Sequence, residues 1–399
     1  MSVRPPPAIL DITRLALRAG RGPLTGIDRV ELAYLRHMVA SPSVVFFLMR
    51  WADRLHLLDR LGGLALLRWV EGTEPLPTLP VLARLAGAEQ QRTATSLALA
   101  RLAIASGSKV PSAIARYCSG GLYLNVGHLN LTDDTFAAVG SAPGLQRWVM
   151  VHDTIPLDHP DYSGQHAPEN FRMALTSALR SADLVFCPSE VTASRVRCWA
   201  TQLGQSAEIR VAPLGVMPPP AVGGPMEGLD LGTDYFLTLG TIEPRKDHAL
   251  LLDLWDGLDN APGTPFLVIA GKRGWRSDAL FERLDLMQSA GKRIIERSDL
   301  PDTAIGALIR HARALLAPSR TEGFGLPVAE AAALGTPVIA ADLPVTREIV
   351  GDYPLYLPAG DLPAWRAAVL DRMKYPVIRQ PLRLPGWTDH FNRVFNSVQ

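Results

Sequence analysis

Pro318–Pro327 reads PSRTEGFGLP and runs directly into VAEAAALGTPVIAAD. Glu322 and Glu330 stand eight positions apart across this stretch. Two carboxylates so spaced can accept hydrogen bonds from two sets of hydroxyls, one at the loop and one further along the helix that follows. Gly323 and Gly325 let the backbone turn tightly and approach a ligand. The N–H groups of Phe324, Gly325 and Leu326 then open a helix and point at an electron-rich partner. An E-x7-E pair by itself reads as a helix N-terminus whose dipole favours acids. The Gly, Phe and Pro residues around it reverse that reading.

A second stretch, Gly240–His248 (GTIEPRKDH), follows an apolar run. Arg245 and Lys246 sit where a helix should begin, and cations there oppose the helix dipole. An anion between them and the helix end resolves the conflict. A diphosphate suits the pair, with Arg as a fork and Lys as a point charge. Only 5 of the 40 basic residues are lysines, which makes a lysine inside a motif informative. The competing reading is a solvated basic turn. Third, His152 closes the run Trp148–Val151 in VHDTIP, where an imidazole can hydrogen-bond or move a proton. A lone His is more often structural. Asp153 beside it can orient that ring or contact an acceptor. Fourth, Gly26 lies in LTGIDRVE, where a glycine admits a phosphate or sugar near a helix N-terminus. A plain helix start accounts for those residues equally well.

These residues need elements to hold them. Strand-like runs are Ala8–Ile12, Val44–Met49, Leu122–Val126, Trp148–Val151, Leu184–Cys187 and Ile209–Ala212. In the second half they are Tyr235–Leu239, Phe266–Ala270, Ile294–Ile295, Ala314–Ala317 and Val338–Ala340. Amphipathic stretches alternate with them, among them Arg29–Val39, Ala167–Ser181, Val191–Leu203, His248–Leu258 and Val328–Leu334. Apolar strands alternating with helices imply parallel sheets covered on both faces. The expected fold is α/β, with two doubly wound Rossmann-like domains facing a cleft. Residues 1–217 form the first, with 51–118 as a mainly helical insertion. Residues 218–232 are a Pro- and Gly-rich linker. Residues 233–385 form the second domain, and 386–399 a closing helix that returns to the first. Within the insertion, Trp51–Val70 reads as a buried helix or, less readily, as a surface that rests on a membrane.

Composition narrows the function. Of 399 residues, 47% are hydrophobic and 20% charged, and the formal charge is +1. That excludes a disordered chain and a polybasic nucleic-acid binder. The three cysteines lack metal spacing, and a reducing cytoplasm suits them. No G-x-G-x-x-G, P-loop, G-x-S-x-G or H-E-x-x-H occurs. No two aspartates stand two apart, so no D-x-D pair holds a divalent cation on a diphosphate.

Taken together, the residues resemble the retaining, nucleotide-sugar-dependent glycosyltransferases of the "glycosyl transferases group 1" family, family 4, which have the GT-B fold. The resemblance is specific over Tyr235–Asp352 and looser over Asp11–Glu31 and Trp148–Leu214. It implies that Arg245 and Lys246 bind the donor diphosphate, Glu322 the donor sugar and Glu330 the ribose. It implies further that the Phe324, Gly325 and Leu326 backbone holds the sugar, that His152 sits at the reacting centre, and that Gly26 lies by the phosphates. The family's glycine-rich first loop is reduced here to Gly26. Catalytic roles fall to Glu322 and His152. The implied co-substrate is a nucleoside diphosphate sugar of mannose, rhamnose or glucose type, with no metal and no cofactor. The implied acceptor is a glycan or lipid-linked oligosaccharide, used in the cytoplasm or at the inner membrane face, and nucleic acid is not a partner. TIEPRKDH and VHDTIPLDHP look most like bacterial transferases that build surface polysaccharides. A non-catalytic sugar-nucleotide scaffold and a GT-B epimerase are the alternatives.

Overall fold

The structure is a computed structural model that describes residues 6–78, 90–220, 234–258 and 263–396. It contains two sheets. The first has eight strands: β1 Ala8–Asp11, β2 Val45–Trp51, β3 Arg54–Leu58, β4 Ala105–Ser106, β5 Leu122–Asn125, β6 Gln146–Met150, β7 Leu184–Cys187 and β8 Ile209–Val211. Their order is β4-β3-β2-β1-β5-β6-β7-β8, parallel throughout except at the β2/β3 and β3/β4 edges. The second has six: β9 Tyr235–Leu239, β10 Phe266–Ala270, β11 Ile294–Arg297, β12 Leu315–Ala317, β13 Val338–Ala341 and β14 Leu355–Leu357. Their order is β11-β10-β9-β12-β13-β14, all parallel. β1, β7 and β13 are buried along their whole length, as strands covered on both faces must be.

The chain forms two compact units, one holding each sheet. The first comprises Met1–His152, Glu169–Pro188 and Ala193–Val211; the second comprises Asp153–Pro168, Ser189–Thr192 and Ala212–Gln399. The division into 1–217 and 233–385 is therefore coarser than the contacts, because two short segments of the first half pack with the second unit. Residues 221–232 of the expected linker lie outside the described residues.

Each core follows from apolar runs. In the second unit Phe236, Leu267, Ile269, Leu316 and Ile339 pack with Trp255 and Trp365. Both indoles are sealed in and hydrogen-bonded, Trp255 Nε1 donating to the Pro265 carbonyl and Trp365 Nε1 to that of Pro358, each at 3.1 Å. A buried aromatic of this size anchors a core only if its N–H finds such a partner. The helix Trp387–Asn396 belongs to this unit and seats on the preceding chain: His390 Nδ1 donates to the Pro213 carbonyl at 2.8 Å.

The insertion departs from expectation. It contains the helices Arg60–Glu71, Gln90–Arg101 and Val110–Tyr117, but it opens with β3 and includes β4. Trp51–Val70 is thus not one helix. β2 and β3 form a hairpin turned by Ala52 and Asp53, with φ of 48° and 57°. Two positive φ values are what a two-residue hairpin turn requires. Asn-Gly usually supplies them; an Ala-Asp pair hides the turn from a reader of the sequence.

The helix Arg60–Glu71 lies close on β2 because Gly63 lacks a side chain, and Gly62 likewise makes room for Leu58 of β3. A Cβ on Gly63 would come within 2.2 Å of Cε2 of the fully buried Phe47. Alanine gains about 1 kcal/mol of helix propensity over glycine. Overpacking costs about 1–3 kcal/mol, which outweighs it. We expect Gly63→Ala to lower the thermal midpoint of the protein; an unchanged or raised midpoint contradicts the packing.

Candidate functional site

The second sheet reverses its strand order between β9 and β12. A doubly wound sheet binds ligands outside its carboxyl edge at such a switch point. A cavity lies there. Its wall includes Thr238 and Leu239 of β9, Leu315–Ala317 of β12, and Lys246, Ser319, Glu322 and Gly325 from the loops beyond.

The loop after β9 is shaped by close backbone approach. A Cβ on Gly271 would stand 1.8 Å from the Gly240 carbonyl oxygen. Only glycine lets the two strand ends meet this way. Beyond them Ile242 and Arg273 form an isolated parallel bridge, so the β9 and β10 loops stay paired past their strands. Pro244–Lys246 then makes one tight turn, Asp247 takes φ 51°, and the helix His248–Asp256 begins. Arg245 and Lys246 thus precede the helix and are not on it. The loop after β12 is fastened to this turn: the Arg320 N–H donates to the Arg245 carbonyl at 2.7 Å, and Arg320 Nε meets Asp247 at 2.8 Å.

The two motifs converge on one carboxylate. Glu322 accepts from Lys246 Nζ at 2.5 Å with one oxygen and from Arg245 Nη1 at 2.7 Å with the other. Arg245 also meets Glu243 through Nε at 2.6 Å. Burial would raise the Glu322 pKa, but Arg245 and Lys246 overcome that and hold it down at about 2. Burial opposes the charge on Arg245 too, yet Glu322, Glu243 and Asp153 raise its pKa. Lys246 shifts down, because burial and the Arg245 charge outweigh Glu322. Glu243 and Asp153 shift up, chiefly through burial. The site is a cluster of five mutually interacting ionisable groups, three acidic and two basic, of which Lys246 and Glu322 line the cavity.

The backbone donors are in place. Gly325, at φ 85°, precedes the helix Leu326–Ala333. Among the described residues, the N–H groups of Phe324, Gly325 and Leu326 take no partner within the protein. Glu330, in the second turn of that helix, is buried and lies outside the cavity wall. Arg245, Lys246, Glu322, Glu330 and Phe324–Leu326 therefore all belong to the second unit.

Gly26 and His152 belong to the first unit. Gly26 opens the helix Gly26–Ala40, where Asp28 and Thr25 form a capping box and Arg14 and Arg18 both pair with Asp28. His152 follows β6. Its Nε2 donates to the Val126 carbonyl at 2.7 Å, and its backbone N–H donates to His128 Nε2 at 2.8 Å. With Nε2 so committed, that nitrogen is not a base. The first sheet reverses order between β1 and β5. That switch point is filled by the unit's own polar residues. Asp11 accepts from Tyr123 at 3.0 Å and from Asn130 at 2.6 Å, and the fully buried Glu31 lies against Gly127. Burial raises Asp11 to about 6 and Glu31 well above the carboxylate range.

Glu243, His128 and His248 have no assigned role on sequence grounds. Glu243 was legible as an acid two residues before Arg245, and His128 as a polar residue at a strand end. His248 carries no such signal: it is 2% exposed, neither ring nitrogen has a partner, and burial with the Lys246 and Arg245 charges drives its pKa to about 3.

Residues 226–365 match the family described as "Glycosyl transferases group 1". The "Serotype-specific mannosyltransferase WbdA" of Escherichia coli is 30% identical over 240 residues, covering 56% of this chain and 29% of that protein. The "O-antigen chain mannosyltransferase B" of Escherichia coli is 28% identical over 243 residues, covering 58% of this chain and 62% of that one. The chain thus spans less than a third of the length of WbdA that it matches. Among solved structures, sucrose-phosphate synthase from Thermosynechococcus elongatus aligns with a TM-score of 0.65 at 18% identity, over 98% of this chain and 99% of that one. Anabaena Alr3699/HepE in complex with UDP and glucose aligns with a TM-score of 0.64 at 17% identity, over the same 98% and 99%. These likenesses show the fold, and it is the GT-B class expected from the sequence.

Two outcomes follow from the charges. Glu322→Gln removes an anion from between two cations and frees both for another. At an effective dielectric near 20 a unit charge at 4 Å counts for about 4 kcal/mol, so a tightening of at least ~10-fold is expected. Calorimetry with inorganic pyrophosphate reads this directly, and unchanged or weaker binding contradicts it. His248 stays neutral in the fold below its ordinary 6.5, down to about 3. The unfolded chain binds that proton and the fold does not, so acid costs stability as pH falls from 6.5 towards 3. We expect His248→Phe to lose less thermal stability than the wild type between pH 7 and pH 4; equal losses refute the assignment.

Proposed function

We propose that the protein is a retaining glycosyltransferase, because residues 226–365 match the family described as "Glycosyl transferases group 1". It moves a hexosyl group, mannose first among the candidates, from a nucleoside diphosphate sugar to a hydroxyl of a surface glycan or lipid-linked oligosaccharide. The observation that carries this reading is the Glu322 bridge: an acid held by Arg245 and Lys246, in a switch-point cavity beside unpartnered N–H groups. The relatives' names, both O-antigen or serotype mannosyltransferases, support the choice of sugar and acceptor.

In the proposed reaction the donor diphosphate takes Glu322's place on Arg245 and Lys246. Glu322 turns to the donor sugar, positions its hydroxyls and supports positive charge near the ring. As the bond to the leaving phosphate breaks, negative charge grows on the diphosphate, and both cations with the helix-end N–H groups stabilise it. The acceptor hydroxyl attacks from the same face, and its proton passes to the departing phosphate. Two fixed cations supply the charge that a divalent ion would otherwise bring, so the reaction proceeds without a metal. Glu330 serves the ribose. Lipid-linked acceptors place the work at the inner face of the membrane. Among the described residues no helix is long and apolar enough to cross one.

The test is transfer from a panel of GDP-mannose, UDP-glucose and dTDP-rhamnose, with excess EDTA present. Lys246→Ala and Glu322→Ala should each lower transfer by at least ~100-fold, the scale of losing one preorganised charge contact. Near-normal transfer by both variants removes the assignment. Donor binding with no turnover on any acceptor points to a scaffold, and isomerised donor without glycan product points to an epimerase.

A further inference from the structure

The segment Ser189–Thr192 contributes no charge to the cavity and does not line it. It nevertheless grips the loop that carries Glu322. Ser189 Oγ and Thr192 Oγ1 each donate to the Gly323 carbonyl at 3.2 Å. Both side chains are buried, Ser189 at 0% exposure and Thr192 at 4%. Ser189 Oγ has one proton and two acceptors in reach, the Gly323 carbonyl and Thr192 Oγ1 at 3.1 Å, while Thr192 Oγ1 directs its own proton to the same carbonyl, which has two lone pairs. Ser189 Oγ keeps a lone pair for the Thr192 N–H, which donates to it at 3.1 Å. From the other side, the Glu348 carboxylate accepts the Glu190 N–H at 2.6 Å and the Val191 N–H at 3.1 Å. The hydroxyl-bearing turn is thus itself held in place, and all these residues belong to the second unit.

Resting on the transferase reading above, we propose that Ser189 and Thr192 are positioning residues: by fixing the Gly323–Phe324 peptide plane, they aim the Phe324 N–H at the donor sugar. A trans peptide is planar, so its C=O and N–H point in opposite directions. Two hydroxyls, from residues outside the cavity wall, hold the carbonyl. The Phe324 N–H points the opposite way, has no partner among the described residues, and lies in the loop between Glu322 and Gly325, both of which line the cavity. Gly323 has no side chain to resist rotation of this plane, so the backbone alone does not set it. The pair of hydroxyls does. Neither residue touches the diphosphate-binding cations, so their loss should spare the nucleotide and harm the sugar step.

The experiment compares wild type, Ser189→Ala, Thr192→Val, the double variant and Thr192→Ser in the full chain. Three readouts are taken: turnover of the sugar-nucleotide panel at saturating donor, calorimetric binding of GDP and UDP, and the thermal midpoint. We expect kcat to fall roughly 100-fold in the double variant, as for loss of a preorganised donor. Nucleoside diphosphate affinity should stay within about twofold, and Thr192→Ser should restore kcat. Wild-type kcat in the double variant overturns the proposal. So does a parallel loss of nucleotide binding and kcat at an unchanged midpoint, which assigns the pair a general role in shaping the loop. If the double variant does not fold, the single variants decide by the same split. If the wild type turns over no sugar nucleotide, the transferase reading itself has failed and this proposal with it.

Discussion

The second unit is organised around a carboxylate caught between two cations. Glu322 comes from the loop after β12, and Arg245 and Lys246 from the turn after β9. Burying a charge is expensive unless it is paired and hydrogen-bonded. Here each member makes the others tolerable. The two cations facing Glu322 keep it ionised despite burial, and three acids offset the cost of burying the Arg245 charge. The loops are then fixed by backbone and side-chain bonds, Arg320 to Arg245 and to Asp247, which no ligand need disturb. The charges can exchange partners while the frame that holds them stays put.

The two sheets treat their switch points differently. In the second unit the crevice between β9 and β12 remains open, and its walls are apolar strand ends topped by charge. In the first unit the crevice between β1 and β5 is packed with Asp11, Tyr123, Asn125 and Glu31. The same topology thus yields a cavity in one place and a buried polar network in the other. The hydrogen bonds around Asp11 tie the carboxyl ends of β1 and β5 together, including the positive-φ residue Asn130.

Much of this was legible in the residues. Leu184–Cys187, Tyr235–Leu239 and Phe266–Ala270 are apolar runs bounded by polar or turn residues, and they are strands over those spans. The convergence of Arg245 and Lys246 on Glu322 followed from two loops lying at the ends of strands that a doubly wound sheet places side by side. What escaped was carried by backbone conformation or by neighbours remote in sequence. β3 was hidden because its turn relies on Ala52 and Asp53 in a conformation that Ala rarely adopts. β14 was missed because Leu355–Leu357 is only three residues long and half exposed. Glu243 and Asp153 gained importance only from the guanidinium beside them. The polarity of His248 gave no warning of a fully enclosed ring, since enclosure depends on what packs over it.

Gly240 and Gly271 touch where a side chain on Gly271 would collide with a carbonyl, and Ile242 bridges to Arg273 just beyond. The two loops are therefore a single laminated plate and not a pair of independent fingers. A change at Lys272, Trp275 or Arg276 reaches Arg245 through shared backbone, without any side chain in common. Engineering the β10 loop for a new ligand will accordingly re-tilt the guanidinium as a side effect, and success will depend on redesigning both layers together.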